Sequence, residues 1–265
     1  MLLVLKMTLV PLVVTLASLV ARRFGTRAGG IITGLPFTAG PVSAFLAVEY
    51  GRAFAADAAL AMLLSLIAIA AYAATFSLVS RRWRWPPTVA AAFAVHLSVT
   101  ALLAGPSLSL ALAAALALGA VALALAIVRA PASIAMVAAM QRAWELPLRI
   151  AVATSLVVAI TLSAEIIGAR LAGLLTTLPI IACVLAVAAF MAGGRGEAMI
   201  SVRGHLIGSL SLGTFFLVVA AVIERLDLIM TYGLAIAAAL AVNRIAAWLE
   251  VPRTARHPFA EELRP

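Results

Sequence analysis

Ten acidic residues and a single cysteine are all that this 265-residue chain carries of those kinds, and aromatic residues make up only 6% of it. Each scarcity excludes something. Cys183 has no partner for an intramolecular disulfide, and inside an apolar run its thiol reads as inert packing. The few carboxylates, none of them plainly at mid-span, argue against carboxylate-based proton or sodium coupling. The chain has no G-x-x-x-x-G-K-[ST] loop for nucleotide hydrolysis, no H-E-x-x-H for zinc and no G-x-S-x-G elbow. No Cys/His cluster has metal-ligand spacing. No enzymatic activity, cofactor or metal is therefore expected.

What is abundant is apolar. The chain is 65% hydrophobic and 11% charged, with a mean hydropathy of +1.18. A soluble domain carries roughly 45–50% apolar and about 25% charged residues, so the expected fold class is an all-α integral membrane protein. Crossing the hydrocarbon core takes about 20 apolar residues. Nine candidate spans meet that length: 2–20, 29–50, 58–80, 87–104, 107–128, 148–166, 171–192, 204–223 and 228–248. The expected breaks between them include YGRAFAAD after the second span, EIIGAR after the sixth and GGRGEAMISVR after the seventh. Residues 129–147, bounded by Pro131 and Pro147, read as an interfacial linker with Trp144 at headgroup level.

A net charge of +9 would suggest nucleic acid as partner for a soluble protein. Here the topology absorbs it, and no nucleic acid is expected. With the N-terminus outside, only Lys6, Arg52, Arg170 and Arg225 fall on the outer side, and the other fifteen of the 19 basic residues fall inside. That is the positive-inside pattern, with the C-terminus in the cytoplasm. The opening MLLVLKMTLVPLVVTLASLVA has the look of a secretory signal, but its match to a mid-chain segment favours a retained span.

That match is the strongest signal in the chain. Residues 25–36 read GTRAGGIITGLP and residues 168–179 read GARLAGLLTTLP, six identities in twelve at an offset of 143. Without gaps, 5–52 against 148–195 gives 13 identities in 48, Gly51/Gly194 and Arg52/Arg195 among them. Chance pairs Leu with Leu in apolar segments; it seldom pairs Gly, Arg, Thr and Pro in register. Five spans separate equivalent positions, and an odd number reverses direction. The expected organisation is thus two four-helix inverted repeats, 1–104 and 148–248, joined by a connector span plus linker at 105–147 and followed by a cytoplasmic tail at 249–265. Gly/Pro-interrupted spans at corresponding places in two halves point to a transporter-like core with its site near the midplane.

The lining of that site is expected from Thr33, Gly34, Pro36, Gly40 and Pro41 in the first half and from Thr176, Thr177 and Pro179 in the second. The alternative for these residues is close helix packing, in which small residues and Thr are common. The stronger interruption is expected in the first half, which has the extra Gly40 and Pro41. Lys6/Arg149, Arg27/Arg170 and Arg52/Arg195 form three register-related basic pairs for electrostatics or gating; otherwise they are snorkelling interfacial cations. His96 is the clearly intramembrane histidine, readable as a proton relay or as a neutral hydrogen-bonded imidazole. His205 and Arg203 read as interfacial, at the start of the eighth span.

Lys6, the G34-L35-P36 stretch, Pro41 and Arg52 give residues 1–104 a pattern that resembles the small four-span GlpM-type membrane proteins. The resemblance implies a bacterial inner-membrane location. The second half departs from the pattern, with Thr177 for Gly34 and Val184 for Pro41.

The expected function is secondary transport of a small solute, with an anion favoured by the basic pairs, by alternating access at the repeat interface. A flippase or scramblase for an anionic lipid headgroup is the alternative, and a non-transporting membrane scaffold is the third reading. The partners expected are a small-molecule or lipid substrate and membrane lipids, with the oligomeric state left open.

Overall fold

The computed structural model describes residues 35–105, 108–130 and 145–250, together with Thr8, Pro11, Leu12, Thr15 and Ile31. The rest of the first span, with Lys6, and also Arg27, Thr33, Gly34, Trp144 and the tail beyond 250 lie outside the described residues. Arg149 enters only through its backbone.

Among the described residues all regular structure is helical. In chain order the helices are α1 (Ala39–Tyr50), α2 (Arg52–Val79), α3 (Trp85–Leu103), α4 (Leu110–Ile127), α5 (Glu145–Thr176), α6 (Ile180–Val222) and α7 (Leu228–Glu250). Five stretches are long and apolar enough to cross a membrane: Arg52–Val79, Trp85–Leu103, Leu110–Ile127, Ile150–Val222 and Leu228–Ala246. At 1.5 Å per residue α2 is about 42 Å long, more than the roughly 30 Å of a hydrocarbon core.

Local chemistry explains where these helices start. Pro86 and Pro87 occupy the first turn of α3, where the missing N–H costs nothing. The Ser109 hydroxyl caps α4 by accepting from the Leu112 amide at 3.4 Å, and the Asp227 carboxylate caps α7 by accepting from the Met230 amide at 2.9 Å.

α2 is the hub. It packs against α1, α3, α4, α5 and α6, and its most apolar window is 67% buried, against 22% for α3 and α4. Tyr72, Phe76, Met62 and Leu64 on it are closed from solvent. The outer helices do the opposite. Leu97, Leu116, Leu123, Leu234 and Leu240 are exposed, which in a bilayer means facing acyl chains. Gly173 of α5 rests on the Ala58 carbonyl of α2 so closely that a Cβ would collide with it, a contact only glycine permits.

The breaks are tighter than the sequence suggests. YGRAFAAD contains a turn of one residue, Gly51, and α2 begins at Arg52. GGRGEAMISVR is helical apart from a kink at Gly194, and EIIGAR is helical apart from a kink at Gly168. These three glycines have φ of +89°, +77° and +75° with ψ near 180°, a region essentially closed to residues with a Cβ. A positive-φ glycine redirects the chain within one residue, so charged positions expected in loops become helical ones. Glu197, expected in a loop, is accordingly buried within α6.

Gly51→Ala and Gly194→Ala should each cost about 1–3 kcal/mol, because open space surrounds both and the strain is purely conformational. Gly119→Ala in α4 and Gly233→Ala in α7, also facing open space but inside helices, should be neutral or stabilising by up to about 1 kcal/mol. Thermal unfolding of the four variants in detergent micelles checks the contrast.

Candidate functional site

The two prolines of the repeated phrase sit in breaks of the same construction. The Phe37 amide donates to the Leu35 carbonyl at 2.8 Å, and the Ile180 amide donates to the Leu178 carbonyl at 2.8 Å. The Gly40 amide donates to the Pro36 carbonyl and the Cys183 amide to the Pro179 carbonyl, again at 2.8 Å each. All four bonds obey the 143-residue offset. The first pair are tight turns centred on proline, with Pro179 at φ −79° and ψ 48°, close to an inverse γ-turn. Proline favours this because its φ is fixed and it has no amide to leave unpaired. The first break, expected to be the stronger, extends into residues 32–34, which lie outside the described residues.

Both breaks open on one cavity of about 60 Å³, enough for a few water molecules. Leu35, Thr38, Ala39 and Val42 line it from the first break and α1, and Thr176 to Ala182 from the second. Val152, Leu156, Val157 and Ile160 of α5 close one side, with Ile69 of α2 and His205 and Leu212 of α6 on the others. Four pairs in this wall are related by the offset: Leu35/Leu178, Thr38/Ile181, Ala39/Ala182 and Ile69/Leu212. Thr176 donates its hydroxyl to the Ala172 carbonyl at 2.6 Å and Thr177 to the Leu174 carbonyl at 2.9 Å. Each oxygen keeps acceptor capacity. The starts of α1 and α6 both border the cavity, and each helix dipole places partial positive charge there.

The expected lining is therefore divided. Thr176, Thr177 and Pro179 are on the cavity, while Pro36, Gly40 and Pro41 line a separate apolar groove of about 330 Å³ between α1 and α7. Phe215, Tyr232 and Ile236 form the far wall of the groove, and Ser43 and Tyr232 share a hydrogen bond of 2.9 Å beside it.

The basic pairs separate too. Arg170 is half-buried, and its Nε donates to the Leu103 carbonyl at 3.0 Å, capping the C-terminus of α3. Arg195 is exposed and its Nε reaches the Ser80 hydroxyl at 3.3 Å, while Arg52 is exposed at the start of α2. None of the three lines the cavity. Arg203, expected at the interface, gives one Nη to the Leu125 and Val128 carbonyls at 2.9 Å each and so caps α4.

His205 is the residue that sequence reading misplaced. It is buried, ten positions into the helical stretch after Gly194, and stands in the cavity wall. A sequence signal did exist: the offset pairs it with Met62, deep inside an apolar span. His96 is fully buried on α3, beside the edge of the Tyr72 ring at a centroid distance of 6.4 Å. The Tyr72 hydroxyl lies beside the Cys183 thiol without an aligned hydrogen bond. Among the described residues no group of three or more His, Cys, Asp or Glu is placed to hold a metal ion.

Removing the arginine cap separates its two readings. Arg170→Gln should lower stability by about 1.5–3 kcal/mol, the worth of a hydrogen bond to a charged group, whereas Arg52→Gln should stay within about 0.5 kcal/mol. Unfolding midpoints in detergent measure both. No protein-family model, curated protein or solved structure matches the chain.

Proposed function

We propose that the protein is a secondary transporter that moves a small anionic solute across a membrane by alternating access, with the cavity between the two proline breaks as its binding site. One observation carries this reading: two helix interruptions, 143 residues apart and hydrogen-bonded alike, share a cavity whose walls contain register-related pairs.

The anionic preference follows from what borders the cavity. The N-terminal ends of α1 and α6 both abut it, Thr and His supply hydroxyl and imidazole groups, and among the described residues no carboxylate is in the lining. Helix N-termini favour negative charge, and broken helices in transporters use them for that purpose. A few water volumes fit an occluded state, in which the solute pathway is closed to both sides.

Nine spans in two inverted halves suit the same reading. The offset extends beyond the breaks: α2 and α6 end at Val79 and Val222, and α3 and α7 begin at Trp85 and Leu228. Thr88 and Thr231, first-turn partners by this register, are both fully buried. Arg81 and Arg84 correspond to Glu224 and Asp227, a change of sign suited to opposite membrane faces. Tertiary contacts agree with the alternation, since Arg170 meets the end of α3 and Arg203 the end of α4, each on the side the charge count assigns. The GlpM-type resemblance of residues 1–104 adds a bacterial inner membrane to the proposal.

The lipid-handling alternative asks for a laterally open groove with basic residues. The groove beside Pro36 is lined by apolar residues and Tyr232, which suits an acyl chain better than a headgroup. A scaffold would have packed both breaks dry.

The test uses Thr177→Cys in a Cys183→Ser chain, reconstituted in sealed vesicles. A membrane-impermeant thiol reagent should reach Cys at 177 from either side. Its attachment should reduce uptake of whichever of inorganic phosphate, lactate or succinate is carried by about tenfold or more, equivalent to ~1.4 kcal/mol. A thiol that stays unreactive from both sides would overturn the site.

A further inference from the structure

The apolar groove beside the first proline break takes no part in the transport pathway as described. Pro36, Gly40 and Ala44 line one side of it, and Tyr232, Ile236 and Leu240 of α7 line the other. On α7 these three positions are four apart, so the groove follows one face of that helix for about 12 Å. A slot of that length, with a volume of about 330 Å³, has the form of a hydrocarbon tail.

Elsewhere the same chain fills the corresponding place. At the 143-residue offset Gly40, Phe215, Ile236 and Ala239 correspond to Cys183, Tyr72, Phe93 and His96. The Phe93 and His96 rings pack against Tyr72 at centroid distances of 5.3 and 6.4 Å, and the Tyr72 hydroxyl lies beside the Cys183 thiol. The groove is not left by helices held apart. Gly40 approaches Phe215 so nearly that a Cβ would meet its Cζ at 3.5 Å, an ordinary contact. Smaller side chains at 40, 236 and 239 are what keep the space open.

Chemistry and surroundings select the occupant. Ile236 and Leu240 are half exposed and continue the lipid-facing surface of α7 into the groove. Among the described residues no charged side chain lines it, and the hydroxyl in its wall, that of Tyr232, is already paired with Ser43 at 2.9 Å. A headgroup or polar solute would leave its own polar groups unpaired there. Hydrocarbon has none to leave, and an unfilled slot forfeits dispersion contacts along its whole lining. We propose that the groove between α1 and α7 binds an acyl chain of a membrane phospholipid, packed against the outer side of the first proline break. Leu35 lines both the groove and the central cavity, so the break stands between the tail and the cavity. The proposal needs the membrane but not the transport reading.

The test maps lipid contact residue by residue. The full chain is placed in vesicles of phosphatidylethanolamine and phosphatidylglycerol, the latter with a photoactivatable diazirine in its acyl chain. Irradiation and peptide mass spectrometry then locate the adducts. Yields at Ala44, Ile236 and Leu240 should exceed those at Leu116 and Leu123, exposed on α4, by about fivefold or more, which is ~1 kcal/mol of preference. Ala44→Val with Ile236→Phe installs what the equivalent positions 187 and 93 already carry, and should lower the groove yield to that of α4. Equal yields on groove and α4 in the unaltered chain would mean ordinary surrounding lipid only. No adducts at the groove would mean that a second copy or another segment of the chain covers it. Either result overturns the site without any variant, and so does a groove yield that survives the double substitution in a chain with an unchanged unfolding midpoint. Adducts do not report access to position 177, so this site and the carrier can fail separately.

Discussion

A hydrocarbon interior offers backbone amides and carbonyls no water, so every break in a membrane helix must find partners within the protein. Pro36 and Pro179 force such breaks, and the rest of the architecture is arranged around how they are satisfied. Each break spends two short hydrogen bonds on closing a tight turn and restarting a helix. Both helix starts border a shared cavity. Turning the breaks inward requires continuous helices outside them, and α3, α4 and α7 fill that role with exposed leucines and isoleucines.

α2 makes the arrangement rigid. It touches most of the other described helices, and small residues such as Ala55, Ala58 and Ala59 let its neighbours approach closely. Dispersion contacts dominate helix association where lipid is as apolar as the core, so close approach replaces the hydrophobic drive of a soluble protein. Arginine side chains then close the loose ends: Arg170 and Arg203 each cap a neighbouring helix through its last carbonyls. A long, multidonor side chain suits that task because several C-terminal carbonyls are unpaired at once.

The two proline breaks are alike in backbone bonding and unlike in the chemistry around them. Where Ala239 and Phe215 leave an apolar groove beside α1, the register partners His96 and Tyr72 fill the corresponding place with polar side chains. Thr38 opposes Ile181 across the cavity, and His205 has Met62 as its register partner. Side chains, and not the backbone bonds of the breaks, set the two places apart: one is polar, the other apolar.

Composition by itself determined that the chain is helical and membrane-embedded, because 65% apolar residues cannot be hidden from water in a domain this size. The repeated phrase located both helix breaks, since proline's missing amide acts locally wherever it occurs. Tertiary structure alone decided what those breaks face. The sequence grouped Pro36, Gly40 and Pro41 with Thr176 and Thr177, but a helix has several sides, and the first three turn to a groove while the others turn to the cavity. The stretches around Gly51 and Gly194 are shorter breaks than composition suggests, because a single positive-φ glycine can redirect a chain that composition shows only as a polar stretch. For the same reason His205 moved from a presumed interface to the cavity wall: extending α6 back to the Gly194 kink carries it ten positions along a helix and into the interior.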